Sequence, residues 1–297
     1  MGVDVAIARA GDVEIYFDTF GTEGDPAFLL VNGLGSQSIN YRVEMCERLA
    51  ACGYHVIRYD NRDVGLSTSF DHAAPDVGGV IAALRAGEPA HVPYLLSDMS
   101  ADGLAVLDEL GIEHAHVMGM SMGGMIVQTM AVEHPERLLT MTSLMSTTGD
   151  PDVGQPTPEA RSVLLGAPST SRDAYIGAQL AAARTWGSPD CFDEELVTAR
   201  AVEAFDRHFN PAGTARQLMA VFASGSRTAA LGGVSVPTLV LHGDADTLID
   251  PSGGRRTADA IPGARFVLIE GMGHDYPPPF WDQILVLLIS HASRPTG

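Results

Sequence analysis

The order in which strand-like and helix-like runs alternate constrains this chain more than any other feature. After an early strand-like run, "DVEIYFDTF", the runs "AFLLV", "YHVIRYD", "HAHVMGM", "RLLTMTSLMS", "VPTLVLHG" and "ARFVLIEG" all read as strands. They are rich in β-branched and aromatic residues and bounded by Gly, Asp or Pro. Between them, "INYRVEMCERLAACG", "LSDMSADGLAVLDELGI", "MGGMIVQTMAVEHP" and "SGGRRTADAIP" have helical spacing, and "PFWDQILVLLISHA" closes the series. Ser97 or Asp98 could cap the second of these helices, and Gly111 lies near its end. Asn61 to about Tyr94 reads as loop. Such alternation predicts an α/β fold, a mostly parallel central sheet flanked by helices on both faces.

The alternation stops between residues 147 and 232. That stretch holds helical runs ("SRDAYIGAQLAAARTW", "DEELVTARAVEAFDRHF", "AGTARQLMAVFA") and no convincing strand. It reads as a helical cap, with residues 1–146 and 233–297 forming the core. In sheets of this kind ligands bind outside the carboxyl ends of the strands, where a cap would cover them.

Composition excludes several chemistries. The formal net charge is −19, which repels phosphate backbones and anionic lipid. No nucleic-acid or membrane partner is therefore expected. All 18 basic residues are arginine. Without lysine there is no Schiff base and no Walker-type phosphate loop. The three cysteines, Cys46, Cys52 and Cys191, do not suit a disulfide framework. No metal-binding motif occurs, and the start of the chain lacks a signal-like apolar run. The expectation is a cytoplasmic protein that needs neither metal nor cofactor and acts on a small molecule, with a homo-oligomer left open.

The sharpest local pattern is "GMSMGG", with Ser121 where a buried strand hands over to a helix. A serine in that tight turn can take strained backbone geometry and project its Oγ at the sheet edge. Gly119 and Gly123 allow strand and helix to approach. The Met122 amide, at the helix start, points where an oxyanion would form. A nucleophilic serine needs a base. Of ten histidines, His274 in "EGMGHDYPP" lies just past the last strand, at the same sheet edge. His242 lies inside a strand and reads as a packed core residue. The orienting acid belongs on a loop after an intervening strand, and "LVLHGDADTLID" offers Asp244, Asp246 and Asp250. Asp250 suits a helix start. Asp246 is favoured, with Asp244 in reserve. The loop "LLVNGLGSQ" after an earlier strand supplies a second oxyanion amide, that of Leu34. Met145, Trp186, Met219 and Phe222 are candidates for lining an apolar substrate pocket.

With "VNGLG", "RYDNRDVGLST", "GMSMGG", "HGDAD" and "GMGH" in order, the chain resembles the α/β-hydrolase superfamily over nearly its whole length. It looks most similar to bacterial ester hydrolases of the aclacinomycin methylesterase type. The resemblance implies the α/β-hydrolase fold with a cap between strands six and seven. It also implies a triad on Ser121, Asp246 and His274, oxyanion amides on Leu34 and Met122, and hydrolysis of a carboxylic ester such as the methyl ester of a polyketide-like acid. Asn32 departs from the family's usual histidine. Asp63 stands where many members have glycine. Asp60, Arg62 and Ser67 read as structural hydrogen-bonding groups. Carbon–carbon bond hydrolases and cofactor-free perhydrolases use the same triad, and some receptor-like relatives bind ligand with little turnover.

Overall fold

The computed structural model describes residues 6–293. Eight strands form one sheet in the order β1-β2-β4-β3-β5-β6-β7-β8. They are β1 (Ala6–Ala10), β2 (Val13–Phe20), β3 (Ala27–Val31), β4 (His55–Tyr59), β5 (Ala115–Met120), β6 (Leu138–Leu144), β7 (Thr238–Gly243) and β8 (Arg265–Ile269). The first two pairings, β1 with β2 and β2 with β4, are antiparallel, and the rest are parallel. Every residue of β3, β4, β5 and β7 is buried. That is what a parallel strand covered on both faces requires, and it explains why apolar residues dominate them instead of alternating with polar ones.

Successive side chains of β3 divide between two cores. Leu29 and Val31 join Ile57, Val117, Met99, Leu107 and Ile126 on the face covered by α3 (Leu96–Glu109) and α4 (Met122–Glu133). Phe28 and Leu30 join Met118, Met45, Leu49, Ile284 and Leu288 on the face covered by α1 (Val43–Ala50) and α11 (Trp281–Ala292). The helix α10 (Ser252–Ala260) connects β7 to β8. Between β6 and β7 lie only helices, α5 (Pro158–Leu164), α6 (Arg172–Trp186), α7 (Glu194–Arg207), α8 (Pro211–Ser224) and α9 (Thr228–Leu231), with a short 3-10 turn.

Three elements depart from the sequence expectation. The strand β1 is a five-residue edge with only Ala8 buried, so its pattern carries little signal. The 39–53 run is helical only from Val43, after a 3-10 turn. The stretch read as loop contains α2 (Val77–Ala86), which has two early glycines and one buried residue, Val80. Its ends are held locally, by the Asp76 carboxylate accepting from Gly79 N at 2.8 Å and by Gly87 at φ 72°. Its packing partner is α8, which sequence periodicity cannot reveal. Helix α3 matches the expected run, but it starts two residues earlier than an N-cap at Ser97 would place it. Asp98 accepts from the Leu95 amide at 2.7 Å instead of capping the helix itself.

Polar residues of the 58–68 stretch are structural. Asp60 accepts from the amides of Ser38 (2.6 Å) and Leu66 (2.9 Å), and Ser67 Oγ donates to the Asp60 carbonyl at 2.6 Å. Arg62 grips Asp102 with two bonds of 2.6 and 2.7 Å.

On the α1/α11 face, His116 is buried beside Phe28 and Tyr54, with Nδ1 2.9 Å from Thr140 Oγ1. Burial, helped by the nearby His291, pushes its pKa down to about 4. The folded state therefore holds this ring neutral while the unfolded chain takes up a proton near pH 6.5. Its contribution to stability is complete above pH 6.5 and lost as the pH falls towards 4. The loss is about 3 kcal/mol in urea unfolding. His116→Phe should flatten that slope, and an unchanged slope would show that the ring is not held neutral.

Candidate active site

Strand order reverses at β3, which lies between β4 and β5. That reversal opens a crevice at the carboxyl ends of β3 and β5, and Val31 is level with Gly119 there. The loops leaving both strands are therefore neighbours. A Cβ placed on Gly33 would lie 3.2 Å from Ser121 Cβ.

Ser121 occupies the one-residue turn between β5 and α4, at φ 57° and ψ −119°. A non-glycine residue reaches that region only when its surroundings impose it. Here the Ser121 amide donates to the Leu144 carbonyl at 2.9 Å, and Ser146 Oγ donates to the Ser121 carbonyl at 2.8 Å. The glycines on either side are sterically required. A Cβ on Gly119 would fall 1.9 Å from the Gly123 carbonyl oxygen, and one on Gly123 would fall 2.1 Å from the Val31 oxygen. Met122 is the first residue of α4, so its amide is among those that helix geometry leaves without an intrahelical acceptor.

The loop after β8 brings His274 to Ser121, with Nε2 2.9 Å from Oγ. The opposite ring nitrogen, Nδ1, lies 2.7 Å from Asp246 Oδ2. A carboxylate only accepts, so Nδ1 carries the proton and Nε2 is free to accept from the serine hydroxyl. Asp246 is fully surrounded by donors. Its Oδ1 accepts from the amides of Leu248 and Ile249, both at 2.9 Å. Burial by itself would push this carboxyl up. The two neighbouring histidines and their hydrogen bonds outweigh that and hold it well below the usual carboxylate range. Asp244, the reserve acid, instead accepts from the Gly271 amide at 2.7 Å, and Asp250 accepts from Ser252 N at the head of α10.

Several contacts were not foreseen from the sequence. His242 is buried, as its place in a strand implies, but its Nε2 lies 3.3 Å from Asp246 Oδ2 and 2.8 Å from the Ile249 carbonyl. The loop bearing His274 is tied to the end of α6. The His274 amide donates to the Trp186 carbonyl at 2.5 Å, and Gly273 N donates to Ser188 Oγ at 2.9 Å. Asp275 accepts from the Ser188 amide at 3.0 Å, and burial pushes its carboxyl pKa up. Only a serine following a helix and an acid following the histidine signalled this in sequence, and neither is distinctive.

The four apolar residues expected around a substrate come from the end of β6 and from helices α6 and α8. Met145 is buried at φ 43° at the end of β6, in one cluster with Met120 and Met272. Trp186 ends α6 and is half-buried. Met219 is buried on α8, where its sulfur accepts from the Asp76 amide at the head of α2. Phe222 is half-buried on the same helix. Among the described residues, no group of three His, Cys, Asp or Glu could hold a metal ion, and no helix is long and apolar enough to cross a membrane.

Comparison with known proteins agrees with this fold. The family model for the alpha/beta hydrolase fold matches residues 26–276. A rhodomycin D methylesterase of Streptomyces sp. (strain C5) is 31% identical over 96% of this chain and 97% of that protein. One from Streptomyces peucetius is 31% identical over the same shares. Among solved structures, the enol-lactonase from Burkholderia xenovorans LB400 superposes with a TM-score of 0.76 at 23% identity, covering 97% of this chain and all of that one.

Proposed function

The chain belongs to the α/β-hydrolase family and is an ester hydrolase within it, and from that premise we propose that it cleaves the methyl ester of an apolar, polyketide-like acid through an acyl-enzyme on Ser121. The observation that carries this reading is the unbroken chain of hydrogen bonds from Ser121 Oγ through His274 to Asp246, 2.9 and 2.7 Å long.

His274 Nε2 takes the hydroxyl proton as Ser121 Oγ attacks the ester carbonyl carbon. Asp246, held ionised by its four donors, keeps the proton on Nδ1 and stabilises the imidazolium that forms. The carbonyl oxygen becomes an oxyanion beside the Leu34 and Met122 amides, a contribution of about 3 kcal/mol per donor. When the intermediate collapses, the C–O bond to the alkoxy group breaks and His274 returns the proton to the leaving methanol. Water then gives a proton to His274 as its oxygen attacks the acyl carbon, the bond from that carbon to Ser121 Oγ breaks, and His274 returns the proton to Oγ as the acid leaves. The helices between β6 and β7 act as a cap. Their bonds to the His274 loop, through Trp186 and Ser188, support a cap over the strand ends that selects the acyl group. The rhodomycin D methylesterases support the methyl ester as the scissile group.

A panel of methyl esters of polycyclic and aliphatic acids, followed by methanol release, tests the substrate class. A fluorophosphonate should label the peptide bearing Ser121 in stoichiometric amount and stop turnover. Labelling elsewhere, or none in folded protein, overturns the nucleophile. Cleavage of a ketone in preference to every ester would replace the substrate class and leave the nucleophile in place.

A further inference from the structure

We infer that Gln217, on the inserted helix α8, is a positioning residue of the oxyanion loop and makes the chemistry of the core depend on the inserted helices. The inference rests on the reading of Leu34 as an oxyanion donor. The loop after β3 is a tight turn, closed by the Ser36 amide donating to the Gly33 carbonyl at 3.2 Å. Leu34 and Gly35 are its central residues, and Gly35 stands at φ 65°. A positive φ at the third position is the mark of a type II turn. Type I and type II turns differ by a flip of the peptide between the two central residues, which changes ψ of the first by about 150°. The Leu34–Gly35 peptide, which carries the Leu34 carbonyl and the Gly35 amide, is thus the one that can turn over, while the Leu34 amide lies on the preceding peptide and is placed by the position of the turn as a whole.

Gln217 holds that peptide from outside the core. Its Oε1 accepts from the Gly35 amide at 2.8 Å, and its Nε2 donates to the Arg62 carbonyl at 2.7 Å. The two contacts fix each other. Rotating the side-chain amide would face donor to donor at Gly35 and acceptor to acceptor at Arg62. Gln217 has no exposed surface, so water cannot replace either bond. The neighbouring residue, Arg216, anchors α8 with two bonds to Asp63 of 2.9 and 2.7 Å. Thr214, one turn earlier, fills the space above Gly35, where a Cβ would fall 2.8 Å from its Oγ1. On the other side of the turn, Gly33 lies against Ser121. The path from α8 to the nucleophile therefore runs through a single turn. Without Gln217, the Gly35 amide has no acceptor and the turn that carries the Leu34 amide loses its tie to α8 and to Arg62, so the donor is no longer held in place.

The test compares wild type, Ser121→Ala, Gln217→Met and Gln217→Glu on one methyl ester. Gln217→Met keeps length and apolar volume but removes both bonds. It should lower kcat about 30-fold, within the range for weakening one oxyanion donor, and leave KM within about twofold. The pH midpoint of activity should not move, since the triad is untouched. Gln217→Glu restores the acceptor for Gly35 but faces a second oxygen to the Arg62 carbonyl, so its kcat should lie between those of Gln217→Met and wild type. Should Gln217→Met fail to fold, Gln217→Asn, one methylene too short to reach Gly35, reads the same split. Full kcat in a folded Met or Asn variant overturns the inference. So does a raised KM at unchanged kcat, which would mean that the residue only shapes the substrate site. Failure of the parent reading looks different, because the wild type would then show no esterase activity or Ser121→Ala would keep it.

Discussion

Ser121→Ala is expected to lower kcat/KM for methyl ester hydrolysis by about 10⁴-fold or more, with no change in thermal midpoint. The size follows from the way such residues act as a unit. Removing the nucleophile leaves His274 and Asp246 with nothing to activate, and only binding and the oxyanion amides remain. The fold should not suffer, because the Ser121 side chain makes one hydrogen bond, to His274, and its backbone bonds to Leu144 and Ser146 persist in alanine. Alanine even relieves nothing at φ 57°, since it carries the same Cβ. Ester turnover in stopped-flow and steady-state assays, with circular dichroism on the same samples, makes the check. Residual activity above one hundredth of wild type would sink the role of Ser121.

Arg216→Met is expected to cost about 4 kcal/mol, and roughly 10 °C in thermal midpoint for a chain of this size. Arg216 and Asp63 are both fully buried, and their two hydrogen bonds join α8 to the loop after β4. Removing the guanidinium strands a carboxylate that Tyr94 Oη (2.6 Å) and the Phe70 amide (2.8 Å) still bond but that has no other ion-pair partner among the described residues. The double variant Arg216→Met/Asp63→Asn should recover a substantial part of the loss, since asparagine tolerates the φ of 72° at this position and carries no charge. Urea unfolding of the two single variants and the double measures the coupling. Independent, additive losses would show that the pair does not act as a unit.

Most of the core fold was legible because its signals are local. The runs 27–31, 115–120 and 238–243 are mostly apolar stretches between turn residues, and they became buried parallel strands. Ser121 and His274 were legible for the same reason. Ser121 follows its strand directly and His274 lies on the short loop after β8, both next to glycines, and parallel strands bring all such loops to one edge of the sheet. Helix α2 was not legible, because its position depends on α8, well over a hundred residues away, rather than on an apolar stripe of its own. The part that His242 takes beside Asp246 was hidden as well. A histidine within a strand and an acid four residues on, past a tight turn, show no periodicity that predicts their contact.

The sequence by itself determined the sheet, the turn that exposes Ser121 and the loops that carry a histidine and a set of aspartates to the same edge. Alternation, strand-end glycines and chain order are enough for that, since they act within a few residues. Only the tertiary structure decided which aspartate meets His274. Asp246 and Asp244 are two residues apart on one loop, and their directions depend on backbone amides of Leu248, Ile249 and Gly271. Only it decided that Gln217 reaches Gly35 and that Ser188 reaches Asp275. Those pairs are separated by 182 and 87 residues. A helix face in the insert and a turn in the core carry no mark of one another in sequence, and their meeting is set by how the two packed surfaces fit.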